Sequence, residues 1–201
     1  MAIRRFYAAL SAAFLLTGCT GTVPAAVPAL PCATEQPAEK PSGAASPALP
    51  DIAAAWAASV RMLPPPVRVL VLHDHLVRTV TYDVSAPRRH SAAGALLDGR
   101  AVCDGYAAAF CLLAEAAGIP CLTVTSEKDG IPHAWNLVNP DGTWYHMDCA
   151  ADDADAGAPL HRFFLLADGA MQGYVWNRTA VPAAEPGSLS YSMIADEMCR
   201  E

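Results

Sequence analysis

The sequence predicts an α+β domain with its helices first and an antiparallel sheet after them. Two observations carry this. Apolar stripes at helical spacing run as far as Gly118. From Cys121 onward the pattern changes to short runs rich in Val, Thr, Trp and Tyr, two of them joined by the turn Asn139-Pro140-Asp141-Gly142. The chain has 201 residues, enough for one domain and a tail. Acidic residues number 20 against 13 basic ones, a formal charge of −7, and no stretch is basic, which argues against nucleic acid as a partner. Seven cysteines are too few for a disulfide scaffold of this length.

The N-terminus reads as an address. Arg4 and Arg5 precede an apolar run from Phe6 to Leu16, the length of a signal segment and too short to span a bilayer. Leu16-Thr17-Gly18-Cys19 resembles the bacterial lipoprotein box. That resemblance implies a signal peptide over residues 1–18, a lipid on Cys19, and a mature protein held outside the cytoplasmic membrane with the bilayer as partner. Residues 19–50 are rich in Pro and Ala and have no apolar period, so they read as a tether. The folded domain is expected over 51–201, with its core at about 52–171 and a C-terminal tail from 174.

Asp51 can cap a helix carrying Ile52, Trp56 and Val60, stopped by Leu63 and three prolines. Pro66 opens a second helix that runs to about Thr79 and buries Val67, Leu70, Val71 and Val77. Tyr82-Asp83 starts a loop. Ser91 to Leu97 reads as a short helix closed by Asp98-Gly99. In the third long helix Cys103, Ala107, Phe110, Cys111 and Ala114 form one stripe, ended by Gly118 and Pro120. Strands follow at Cys121–Ser126, His133–Val138 and Thr143–Cys149, and Leu189–Met198 can form a short terminal helix.

Cys103 thus stands at a helix N-terminus, where the free N–H groups and the dipole favour thiolate over a thiol of pKa about 8.5. If the hairpin loop is Asn139–Gly142, Val138 faces Thr143 and His133 faces Asp148, on the same side of the sheet. A loop of odd length would put them on opposite faces. A thiolate beside a His–Asp pair is the chemistry of a nucleophile with its general base and orienting carboxylate.

The segments Val102-Cys103-Asp104-Gly105-Tyr106-Ala107, His133-Ala134-Trp135-Asn136 and Trp144-Tyr145-His146-Met147-Asp148 resemble the core of the transglutaminase-like superfamily, in its order Cys, His, Asp. The resemblance covers roughly Ile52 to Met171. It implies a papain-like fold with Cys103 as nucleophile, His133 as general base and acid, and Asp148 as orienting carboxylate, without cofactor or metal. It further implies thiol acyl transfer on an amide or peptide bond of a protein or peptide substrate, one of the cell envelope if the chain is exported. Hydrolysis is favoured over cross-linking to an amine, because one small domain offers no module for excluding water. An inactive binding or scaffold domain on the same fold is the rival reading. Where bacterial members carry Thr-Trp after the Asp, this chain has Cys149-Ala150-Ala151. Tyr82 and His90 stand outside the catalytic set as candidate oxyanion donors.

His73 and His75 are two apart on a helix and read as exposed, not as a metal pair. Asp152, Asp153, Asp155 and Gly157 read as a solvated acidic loop, since the EF-hand pattern fails. Beyond Cys19 and Cys103, five cysteines remain (Cys32, Cys111, Cys121, Cys149 and Cys199), too many by one to pair within the chain. Cys111 and Cys121 are expected to face the core, and Cys149 the opposite face of its strand from Asp148.

Overall fold

The computed structural model describes residues 48–153 and 158–199. The leader, Cys19, the tether as far as Pro47, Cys32, Asp155 and Gly157 lie outside the described residues, and Leu49 and Pro50, expected in the tether, belong to the first helix instead. In chain order the elements are α1 (Leu49–Val60), α2 (Pro65–Thr79), β1 (Thr81–Tyr82), β2 (Arg100–Ala101), α3 (Cys103–Ala116), β3 (Cys121–Lys128), β4 (Ile131–Val138), β5 (Tyr145–Met147), α4 (Cys149–Asp152), β6 (Tyr174–Val175) and α5 (Tyr191–Met198). A π-helical turn spans Gly94–Asp98, and a 3₁₀ turn Asp168–Ala170. None of these helices is long and apolar enough to cross a membrane.

The helices begin close to where their caps predict. In α1 the cap is Ala48, not Asp51; Asp51 sits one turn inside and accepts the Ala48 N–H at 3.3 Å. Helix α2 is buried on more sides than one apolar stripe requires, with His73 and Asp74 enclosed alongside its aliphatic residues. The expectation of two exposed histidines is therefore corrected. His73 is fully buried, and His75 lies against Trp56 with ring centroids 3.8 Å apart and planes tilted by 35°.

The sheet has the order β5-β4-β3-β6, every pair antiparallel, and α3 packs on it. A separate parallel pair, β1 with β2, sets Tyr82 against Ala101 and feeds the chain into α3. Buried Asn136 of β4 locks the layers together: its amide donates to the carbonyls of Ala107 on α3 at 3.0 Å and Leu122 on β3 at 3.4 Å.

The β4–β5 hairpin departs from the expected register. Val138 faces Tyr145, not Thr143, so the pairing slides by two residues and the loop takes up 139–144. The physical cause lies in the turn. Asn139 accepts the Gly142 N–H at 2.7 Å and Asp141 accepts the Thr143 N–H at 3.0 Å, holding two further residues out of the ladder. The loop stays even, so the facing of side chains is kept. His133 and Asp148 become diagonal neighbours on one face instead of direct opposites. Strand β5 ends at Met147, and Asp148 instead caps α4 by accepting the Ala151 N–H at 2.9 Å. Cys149 consequently opens a helix and is buried in it, not on a strand.

Two further expectations change. Asp152 is fully buried, accepting the N–H groups of Arg162 and Phe163, so at its start the acidic stretch belongs to the interior. The core also continues past Met171. Tyr174 and Ala184 are buried in a cluster with Trp135 and Leu137, and Trp176 and Val181 pack against it. Cys121 is buried and Cys111 half-buried; both are free thiols, as are Cys103, Cys149 and Cys199.

Candidate active site

The first residue of α3 is Cys103. Its position depends on Gly105. A Cβ there would lie 2.3 Å from the Arg89 carbonyl oxygen and 2.8 Å from the Ala101 Cβ, so only glycine lets the loop before the helix dock so closely. The Val102 N–H donates to that same carbonyl at 3.0 Å.

Opposite the thiol stands His133, on β4. Its Nε2–H donates to Asp148 Oδ2 at 2.6 Å, which fixes the tautomer and leaves Nδ1 for Cys103. Trp135 stacks along the imidazole, with ring planes 19° apart and centroids at 6.2 Å, and Tyr174 meets it edge-on at 5.9 Å. Asp148 is buried yet accepts three hydrogen bonds, from His133, from the Ala151 N–H and from the Tyr174 hydroxyl at 2.6 Å. The sequence-predicted residues Cys103, His133 and Asp148 are therefore brought together.

The electrostatics suit a thiolate. Burial alone would raise the Cys103 pKa, but contact with the His133 imidazole, the Ala134 N–H and the imidazolium charge outweigh it and hold the thiol below its ordinary value. Burial alone would lower the His133 pKa; the Asp148 carboxylate first, and then Cys103, raise it to about 9. Asp148 stays below the usual carboxylate range against its own burial, chiefly through His133, with Tyr174 and Ala151 adding to it.

Cys103 and His133 border a cleft of about 380 Å³ lined also by Tyr82, Arg89, His90 and Asp104, while Asp148 is buried behind His133. His90 Nδ1 pairs with Asp104 at 2.8 Å on the cleft wall. Tyr82 lines the cleft with Cys103, and burial and then the Cys103 charge raise its pKa. Tyr174 was not anticipated at all. It lies 26 residues beyond Asp148, and only the pairing of β6 with β3 carries it there.

Residues 52–149 match the sequence model of the Transglutaminase-like superfamily. The core fold is transglutaminase-like. At that level the match supports a thiol-based enzyme. Two solved structures share partial likeness with the chain. A candidate cysteine protease of Cytophaga hutchinsonii is 20% identical with a TM-score of 0.38, covering 47% of this chain and 37% of its own. A TGase is 15% identical with a TM-score of 0.40, covering 53% of this chain and 33% of its own. The present chain thus spans about a third of the length of either. No curated protein matches it.

Proposed function

We propose that the chain is a thiol acyl-transfer enzyme that acts on an amide or peptide bond through a Cys103 thioester, and that water is its usual acceptor. The observation that carries this is the His133–Asp148 contact of 2.6 Å facing a cysteine on the first turn of α3, at an open cleft. In the first half-reaction the Cys103 thiolate attacks the carbonyl carbon. Negative charge gathers on the carbonyl oxygen, where the Cys103 N–H and the Tyr82 hydroxyl are the donors at hand. The tetrahedral intermediate collapses as the His133 imidazolium gives its proton to the leaving nitrogen, which departs as an amine. In the second half, neutral His133 takes a proton from water, hydroxide attacks the thioester, and the acid leaves as Cys103 is restored.

One feature supports hydrolysis over cross-linking. Tyr82 and Val84 at the cleft are 45% and 69% exposed, so the thioester would lie open to water. The likeness of Leu16-Thr17-Gly18-Cys19 to a lipoprotein box supports reading this activity as extracytoplasmic and lipid-anchored, with cell-envelope protein or peptide as substrate.

The test is a peptide library incubated with the domain, with and without a primary amine, and with a peptidyl electrophile that reports the nucleophile. The proposal expects an adduct on Cys103 that needs His133, and new peptide termini formed with water. Amine-linked products in place of new termini would assign cross-linking instead. An unreactive Cys103 and an intact library would leave a scaffold.

A further inference from the structure

A second polar cluster lies inside the molecule, away from the thiol. It joins α2 to the segment after α4. His161 Nε2 lies 2.7 Å from Asp74 Oδ1, and His73 Nδ1 lies 3.1 Å from the same oxygen. The three ligating atoms all fall within 4.8 Å of one another, and among the described residues no other group of three such side chains does so. His73 is fully buried, the Asp74 side chain is 7% exposed and that of His161 11%.

We infer that His73, Asp74 and His161 form a site for a divalent transition-metal cation, Zn²⁺ in the first instance. Three arguments carry it. The first is donor chemistry and spacing. Two imidazole nitrogens and one carboxylate oxygen are a zinc-type set, and bonds of about 2.0–2.1 Å at tetrahedral angles place ligand atoms roughly 3.3 Å apart. The observed 2.7 and 3.1 Å to Asp74 would open slightly, and the two imidazole nitrogens, within 4.8 Å of each other, would settle to the same spacing.

The second is the surroundings. His73 Nε2 makes no aligned hydrogen bond, yet it sits 3.3 Å from Asp152 Oδ2. With Nδ1 on a metal, Nε2 must carry the proton, and a carboxylate beside it is the usual partner of a ligating histidine. Asp152 is itself held by the N–H groups of Arg162 and Phe163, and Arg78 approaches the other oxygen of Asp74 at 3.7 Å. His161 is held flat against Tyr191 of α5, with centroids 3.8 Å apart and planes at 12°.

The third is charge. Asp74 and Asp152 bring two negative charges into the interior, and buried charge is expensive unless compensated. One divalent cation between neutral imidazoles balances both. The ion would fasten α2, α4 and α5 together, just behind the helix that Asp148 caps. This site is independent of the thiol chemistry, and its failure would leave that reading untouched.

The experiment titrates Zn²⁺ alone into chelator-stripped protein carrying Cys103→Ser, which removes the competing thiol of the cleft, and follows binding by calorimetry and thermal unfolding. Expected are one equivalent bound and a raised melting temperature. His161→Gln keeps an N–H for Asp74 but is a poor ligand, so it should match the parent apo protein in stability while losing about 10²-fold in affinity. Asp152→Asn should lose about 10–100-fold. A His133→Ala control should bind as the parent does. Absence of stoichiometric binding, or equal binding by parent and His161→Gln, overturns the site and leaves a histidine–carboxylate hydrogen-bond network in its place.

Discussion

Tyr174 and His133 share one oxygen of Asp148, each at 2.6 Å. The carboxylate is buried, and its ionised form survives there because donors surround it. Tyr174 thereby orients the group that orients the histidine. Tyr174→Phe removes one of three donors to a buried anion, a loss of about 1.5–3 kcal/mol by the usual worth of a hydrogen bond to a charge. The variant should fold, with lowered urea stability, and its pH profile for Cys103 alkylation should shift towards that of an ordinary thiol. Unchanged alkylation would make Tyr174 a packing residue only.

Tyr82→Phe should behave in the opposite manner. The phenol lines the cleft with Cys103, whereas the hydrogen bonds of Asp148 go to His133, Ala151 and Tyr174. Thiol alkylation should therefore change little, while acyl transfer falls by about 10²-fold, the usual loss for one oxyanion donor. Parallel alkylation and turnover assays separate the two effects. A turnover equal to the parent's would take Tyr82 out of the mechanism.

Gly105→Ala tests the docking of the α3 N-terminus. The added methyl meets the Arg89 carbonyl and the Ala101 side chain, and neither can move without shifting backbone. Overpacking of this kind costs about 1–3 kcal/mol. Urea unfolding should show that loss. Since the helix start would be displaced, the Cys103 pKa should rise with it.

Folding stability should depend on pH through His133. Burial alone would lower its pKa, yet Asp148 and then Cys103 raise it to about 9. The unfolded chain releases this proton near pH 6.5. The contribution is complete below about pH 6.5 and declines as pH rises through about 9. Urea unfolding of the parent and of His133→Gln should therefore differ most at pH 6, with the gap narrowing by pH 9.5. Asp148 acts with the opposite sign: its pKa is depressed, so its contribution is present above the ordinary carboxylate range and fades in acid. A gap between parent and His133→Gln that widened in alkali would contradict this assignment.

Local pattern was enough to find the helix bearing Cys103 and the strand bearing His133, because the 3.6-residue stripe ends at Gly118 and the apolar alternation begins at Cys121. It also got the facing of His133 and Asp148 right, since that depends only on whether the loop is even. The register itself depended on Asn139 and Asp141 folding their side chains back onto the turn, which composition does not reveal. Tyr174 and the cluster around His73 were illegible for another reason. Both arise from segments distant in sequence, where β6 meets β3 and the chain near His161 meets α2. The apparent exposure of His73 followed from treating α2 as amphipathic, whereas the fold buries it almost all round.

The most direct test of the central claim is the pH dependence of iodoacetamide labelling at Cys103, resolved by peptide mass spectrometry, in the 51–201 domain and in its His133→Ala variant. A thiolate held by an imidazolium predicts fast labelling well below pH 8 that slows when His133 is removed. An ordinary thiol profile in both proteins would contradict a working Cys103–His133 pair.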